Sequence, residues 1–219
     1  MGKTILVTGK EGFLGNGISQ FFLTQGCQVS VSVPPRKESF PSVDQDHRLL
    51  QFPWGRRSAV AAKNFVLRTL QEFGTLDEAW VVVTPERESF ALGDLAPLAV
   101  DESLDASLKG TLYLVRELLQ RQEQQPSLVL RFVFYDDDPA TLPPLAAVHY
   151  QGLRGLVNAL LSQARKKHTT VWAYESLVPR PEEFLTYLTT SPTTQPGRWN
   201  VLGERKTLIN SLFSKKDAP

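Results

Sequence analysis

The chain has 219 residues, 42% of them hydrophobic and 21% charged, with a formal net charge of +1 at pH 7. That balance suits one soluble domain with a sizeable core and excludes both a polybasic nucleic-acid surface and an acidic disordered chain. A single cysteine, Cys27, excludes an internal disulfide framework and points to the cytoplasm; no apolar run approaches a membrane span, and the start MGKTILVTGK is too short in apolar residues for a signal peptide.

Thr4 to Val7 is a short apolar run that reads as a buried strand. The glycine-rich Thr8 to Gly15 follows. Asn16 to Thr24 then places Ile18, Phe21 and Phe22 at helical spacing, and Gly26 ends the pattern. Val29, Val31 and Val33 alternate as a second strand, stopped by Pro34-Pro35. This strand-helix-strand opening predicts a parallel sheet with right-handed crossovers. Leu49 to Phe52 reads as a third strand. Ser58 to Phe73 reads as a helix with Val60, Ala61, Phe65, Val66 and Leu70 inward, and Ala79 to Val83 as a fourth strand. Leu104 to Gln120 is a long helix, Leu128 to Tyr135 a fifth strand, Ala146 to Lys167 another long helix and Thr170 to Tyr174 a sixth strand. Glu182 to Leu188 is a short helix and Trp199 to Leu202 a last strand. Pro34 to Arg48 and Thr84 to Asp101 are polar, carry Pro or Gly and give no element. The expected class is α/β, a single doubly wound parallel sheet of about seven strands over residues 1–210, with a flexible C-terminal tail over 211–219.

Gly9, Gly12 and Gly15 fall at GxxGxxG spacing between a predicted strand and a predicted helix, the context that gives the pattern meaning. Such a loop turns tightly, lets a phosphate approach the backbone and aims a helix N-terminus at it. Gly9, Lys10, Gly12, Phe13, Leu14 and Gly15 are therefore candidate dinucleotide contacts; the alternative is that the glycines serve only the strand-helix turn. The second strand ends without the acidic residue that would hold a ribose 2′-hydroxyl. Arg36-Lys37 follows instead and suits a 2′-phosphate, which favours NADP over NAD; the alternative is a solvated basic loop.

Taken together, these residues resemble the short-chain dehydrogenase/reductase family. The resemblance rests on TGxxGxxG at Thr8 to Gly15, Phe73-Gly74-Thr75-Leu76-Asp77 before the fourth strand and Lys109-Gly110-Thr111. It rests also on Tyr150-Gln151-Gly152-Leu153-Arg154 and the closing Pro196-Gly197-Arg198-Trp199-Asn200-Val201-Leu202-Gly203. It spans essentially the whole chain and implies a Rossmann-like fold. In that family a tyrosine moves the proton at the substrate oxygen. A lysine four residues later lowers the tyrosine pKa and holds the nicotinamide ribose, a serine after strand five binds substrate, and an asparagine in the fourth helix supports a proton relay. Tyr150 matches the tyrosine. Arg154 stands at the lysine position, where its planar fork cannot place one compact ammonium in the same space. Asp137 falls at the serine position and Ser107 at the asparagine position, and a carboxylate there raises the tyrosine pKa.

The family's long excursion after strand six, the lid over nicotinamide and substrate, is nearly absent: only Ser176 to Pro181 precedes Glu182-Glu183-Phe184. Hydride transfer needs a closed, water-poor pocket. The resemblance therefore implies a catalytically impaired member, a structural or regulatory subunit of a heteromeric NAD(P)-dependent dehydrogenase/reductase. Two alternatives stay open: an NADP-dependent oxidoreductase acting on a carbonyl or alcohol through Tyr150 and Arg154, and a dinucleotide-sensing homodimer.

His47, His149 and His168 are scattered, and no metal site is expected. Asp136-Asp137-Asp138 reads as a solvated turn rather than a cation site, and Arg56-Arg57 and Arg165-Lys166-Lys167 as loop and helix-end charges. In the family the helices corresponding to 104–120 and 146–167 build a subunit interface. Here Leu108, Leu112, Val115 and Leu119, with Leu153, Leu156, Val157, Leu160 and Leu161, exceed what one buried face needs. A homo- or hetero-oligomer through these helices is expected, an intact paralogue being the candidate partner, with no nucleic-acid or membrane partner.

Overall fold

The computed structural model describes residues 2–36, 40–85, 92–138, 141–167, 169–190 and 195–203; the expected tail at 211–219, Lys37 and His168 lie outside the described residues. The strands are β1 (Thr4–Val7), β2 (Gln28–Val33), β3 (Ser42–Val43), β4 (Leu49–Pro53), β5 (Glu78–Val83), β6 (Val129–Phe134), β7 (Val171–Ser176) and β8 (Trp199–Leu202). They form one sheet in the order β3-β4-β2-β1-β5-β6-β7-β8, parallel throughout except for the edge pair β3–β4. The sheet thus has eight strands rather than about seven. The extra one is a two-residue edge strand inside the stretch that gave no sequence signal.

Helices cover both faces. α2 (Ala59–Phe73), α4 (Gly110–Gln124) and α5 (Pro144–Lys167) pack on one, against Leu6, Ala79, Val81, Leu130 and Phe132. α1 (Phe13–Thr24) and α6 (Pro181–Thr190) pack on the other, against Ile5, Val7, Val31, Trp80 and Tyr174. Alternate residues of β1 therefore enter different cores, as the pleat requires, and burial on both faces explains why the strands read as continuous apolar runs. Phe65 of α2 is fully buried and stacks on Phe52 at 5.1 Å, and burying such a ring contributes about 2–3 kcal/mol. Val60, expected inward, is 66% exposed, because Ser58 caps the helix one residue ahead and α2 turns its Ala62-Phe65-Val66-Thr69 face to the sheet.

Other boundaries also differ from expectation. α1 begins at Phe13, three residues early, so Phe13, Leu14 and Gly15 form its first turn. The helix placed at 104–120 is the later part of a longer helical run: α3 (Pro97–Ser103), a π-helical turn (Leu104–Lys109) and α4. β7 runs to Ser176, because Glu175 and Ser176 are polar but buried.

The apolar surplus of the two long helices is mostly core. Val115, Leu153, Val157, Leu160 and Leu161 are buried within the subunit, Leu108, Leu119 and Leu156 pack partly buried against them, and Leu112 is 37% exposed. Toward the N-terminal ends of β5, β6 and β7, the Arg131 guanidinium lies between the rings of Trp80 and Trp172 at 5.0 and 4.8 Å and donates to Glu78 Oε2 at 2.8 Å. Burial pushes the Glu78 carboxyl up, but Arg131 and Lys3 outweigh it and hold the group below its ordinary value.

Candidate functional site

Chain connections leave the centre of the sheet in opposite directions between β1 and β5, the switch point where open α/β sheets leave a crevice at the C-terminal strand ends. A cleft of about 410 Å³ lies there, floored by Gly9, Gly12, Val82 and Val83 and reaching Asp136 and Tyr150.

The glycine loop is built from three different needs. Gly9 has φ 73°, which an L side chain rarely adopts, and its N–H donates to Ser32 Oγ at 3.0 Å. A Cβ on Gly15 would lie 2.5 Å from Gly9 C and 2.7 Å from Thr8 O, and closer still to Gly9 O, so α1 needs a glycine there to approach β1. Gly12 differs: its φ is −91°, and a Cβ would meet only Gly9 O, at an ordinary 3.6 Å. The chain's own packing therefore demands Gly9 and Gly15 but not Gly12. Gly12 is the N-cap of α1 and supplies no side-chain cap, and the first turn holds no acidic residue, so the fit to an anion such as pyrophosphate is good.

Two further cavities adjoin this loop. One, of about 410 Å³ at the end of β2, brings Lys10 and Arg36 together with Val33, Pro34 and Gln51. Burial lowers the Lys10 ammonium below its ordinary value, with Asp44 pulling the other way. The other, of about 480 Å³, lies between Ser32, Pro34, Trp54 and Arg56. Trp54 follows the end of β4 directly. It is buried, stacks on Phe65, carries the Arg56 guanidinium 5.3 Å above its ring, and leaves its Nε1 without a hydrogen-bond partner among the described residues. Arg56 also pairs with Glu11 at 3.4 Å, linking the glycine loop to the loop after β4. Gly110 lets the start of α4 meet that loop, since a Cβ there would lie 2.8 Å from Arg56 Cβ.

At the other end, Tyr150, Ser107 and Asp137 line the same cleft, and Arg154 is not among the lining residues. Arg154 turns to the end of β7. Its Nε and Nη2 donate to the two carboxylate oxygens of Glu175 at 3.0 and 3.1 Å, and its guanidinium sits 5.0 Å over Trp199. A bidentate partner and a ring fix its plane and offset its charge. Tyr150 is buried with its ring edge-on to Phe134 at 5.3 Å. Burial first, then Glu175 and Asp136, hold its hydroxyl far above the ordinary tyrosine value, and Arg154 only partly offsets them. The carboxylates acting on Tyr150 are thus Glu175 and Asp136, rather than the Asp137 that the resemblance implies.

Sequence reasoning missed Tyr135; His149, next to Tyr150, was open to a place near the centre or a plain helix-start role. Both are buried and line the cleft. The Tyr135 hydroxyl and the Ser107 Oγ have no hydrogen-bond partner among the described residues. Ser107 lies in the π-helical turn, a feature that often marks functional sites. A signal for Tyr135-Asp136 existed in their position at a strand C-terminus beside the switch point; none existed for Glu175.

The wall on the β7 side is short. Residues 177–180 alone join β7 to α6, turned by Ser176 Oγ, which accepts from Val178 N–H at 3.1 Å and donates to Val178 O at 2.9 Å. α6 seats directly on α1, where a Cβ on Gly17 would lie 3.1 Å from Leu185 Cδ1. Among the described residues no three His, Cys, Asp or Glu groups converge on a metal position, and no helix is long and apolar enough to cross a membrane.

No family model matches the sequence, and no curated protein matches it. Solved structures do. A short-chain dehydrogenase from Bacillus anthracis superposes with a TM-score of 0.71 at 15% identity, over 91% of this chain and 94% of that one. A short-chain dehydrogenase/reductase from Serratia marcescens gives 0.70 at 16%, over 92% and 96%. A short-chain dehydrogenase from Streptomyces avermitilis gives 0.73 at 14%, over 93% and 89%. At such identities the likeness is one of architecture, and it runs nearly end to end: this chain has the fold of the short-chain dehydrogenases/reductases.

Proposed function

We propose that this chain binds a dinucleotide at its glycine loop but does not itself perform the reductase chemistry, and that it serves as a non-catalytic subunit beside a catalytically intact paralogue. The observation that carries the reading is the Arg154–Glu175 pair. The one cation at the family's lysine position is spent on a buried carboxylate, while Tyr150 is held as a phenol by burial and by Glu175 and Asp136. A proton-transfer tyrosine needs the opposite field. Dinucleotide binding is supported by the bare backbone at Gly12 and the uncapped start of α1. A preference for NADP is supported by Lys10 and Arg36 sharing one cavity. When bound, the cofactor supplies hydride chemistry; the chain's own residues position its phosphates and leave the cleft open on the β7 side.

Pairing with the paralogue would use the outer faces of 97–124 and 144–167, where Leu112 and Val148 are exposed. The compartment that fits is the cytoplasm. The test is a thermal-shift screen with NAD, NADP and their reduced forms, followed by turnover assays of the isolated chain and of the chain with partners that co-purify. Stabilisation by NADP(H) without turnover is expected. Robust carbonyl reduction by the isolated chain, abolished in Tyr150→Phe, would sink the reading. It would favour an NADP-dependent oxidoreductase, the reading supported by Tyr150, Ser107 and the buried His149 sharing one cleft.

A further inference from the structure

We propose that Arg56 is a phosphate contact of the nucleotide site and that Glu11 is its built-in competitor, a carboxylate that a ligand phosphate must displace from the guanidinium. This rests on the dinucleotide reading and deepens it, by naming the residues that decide which ligands enter.

Glu11 stands in the glycine loop, directly before Gly12, the N-cap of α1. Of the residues lining the three cavities around that loop, Glu11 alone borders all three. Arg56, in the loop after β4, borders two of them, the cleft and the cavity beside Trp54. It is also the one lysine or arginine among the described residues that line the cleft. The two side chains meet at 3.4 Å. Their pair therefore sits at the boundary between the cleft and the Trp54 cavity, and a ligand that reaches from one into the other must run past it.

The two partners are held very differently. Arg56 is anchored: its guanidinium lies 5.3 Å over the ring of Trp54, which is itself buried against Phe65. Its backbone is pressed to the start of α4, where a Cβ on Gly110 would lie 2.9 Å from the Arg56 carbonyl carbon. The Glu11 side chain is 45% exposed and can swing to water. An ion pair this long and this open is weak, because water screens it and two side chains must be kept in one geometry. A phosphate brings more charge, and oxygens that match the planar fork of a guanidinium. It also meets the N–H groups at the start of α1, which a carboxylate bound to Arg56 leaves to it. In the exchange the cation stays in place and only the exposed carboxylate moves. A ligand without a phosphate gains nothing by parting the pair, so the contact selects phosphorylated ligands.

The test is calorimetric titration of the full chain with NADP at fixed ionic strength, in the wild type, Glu11→Gln, Arg56→Met and the double variant. Glu11→Gln should tighten NADP about 3–5-fold, because no carboxylate has to leave the guanidinium. Arg56→Met, which keeps an apolar stem over Trp54, should weaken NADP about 10-fold. In the Arg56→Met chain, Glu11→Gln should change affinity by less than about 1.5-fold, since there is no cation left to withhold. Arg56→Lys guards against a folding defect: it keeps the charge without the fork and should fall between the wild type and Arg56→Met. The proposal is overturned if Glu11→Gln binds NADP no more tightly, or if Arg56→Met binds it as the wild type does. It is overturned too if the gain from Glu11→Gln is as large without Arg56, which would make Glu11 a plain repulsive charge. NADP that binds neither the wild type nor Glu11→Gln removes the dinucleotide reading and the competitor together, whereas equal, measurable affinity in the two removes the competitor alone.

Discussion

Two glycines three residues apart should respond to the same substitution in opposite ways. In Gly15→Ala the new methyl would sit 2.5 and 2.7 Å from backbone atoms of Gly9 and Thr8, with Gly9 O nearer still. No side chain can swing away, so α1 must separate from β1. Overpacking of this kind costs about 1–3 kcal/mol, and the backbone contacts place it at the upper end. In a domain of 150–250 residues each kcal/mol moves the Tm by about 2–4 °C, so a loss of about 6–12 °C is expected. In Gly12→Ala the methyl meets one atom at 3.6 Å, and replacing glycine by alanine at a helix N-cap costs a few tenths of a kcal/mol, so the Tm should stay within about 2 °C.

The binding readout reverses the ranking. NADP at about 100 times its Kd should add about 2.7 kcal/mol to the wild-type chain, a rise of about 5–11 °C, and Gly12→Ala should abolish that rise because its methyl occupies the space over the loop. Differential scanning fluorimetry with and without NADP measures all of this. A Gly12→Ala chain that keeps the wild-type shift would refute the phosphate reading of the loop. A Gly15→Ala chain that melts with the wild type would refute the close helix approach.

Arg154→Ala should cost about 3–5 kcal/mol in urea unfolding, because it takes the bidentate cation from the Glu175 carboxylate, which is only 7% exposed, and Arg154→Met with Glu175→Gln should recover much of it; a single variant as stable as wild type contradicts the pair's role. Above pH 10 the folded chain, with Tyr150 raised above its unfolded value, binds more protons than the unfolded one, so stability should fall with rising pH. Tyr150→Phe should flatten that slope, and an unchanged slope would remove Tyr150 from the account. Glu78 has the reverse sign: depressed in the folded state, it adds stability above the ordinary carboxylate range of about 4.3 and loses it as pH falls through its folded value. Glu78→Gln should therefore soften acid unfolding measured by tryptophan fluorescence, and an acid midpoint that does not move argues against it.

Strand and helix order was legible in the chain because every central strand is buried on both faces and shows as an apolar run, while Gly and Pro punctuate the rest. β3 escaped because two residues carry no period. The end of β7 escaped because Glu175 looks like loop chemistry until Arg154, 21 residues away on α5, is seen to hold it. The glycine loop could be read locally, since turn, phosphate space and helix start are consecutive in sequence. The inner end could not, since Tyr135, Ser107, His149 and Tyr150 come from three separate elements. The leucines of 104–120 and 146–167 exceeded one face because the helical run 97–124 meets both α2 and α5, so a stripe that looked like an interface is largely interior.

The four-residue joint between β7 and α6 has a consequence in time rather than in space. With α6 wedged on α1 and the joint held by Ser176, the β7–α6 connection has no length of chain, among the described residues, to swing shut over the cleft. A molecule entering from that side meets its final surroundings on arrival, so its association should be a single, concentration-dependent phase. At an ordinary association rate of about 10⁶ M⁻¹s⁻¹ and a Kd of about 10 μM, it would leave within about 0.1 s. Occupancy would then follow the surrounding concentration almost instantly, the property of a gauge and not of a chamber that must hold its contents until a reaction is finished.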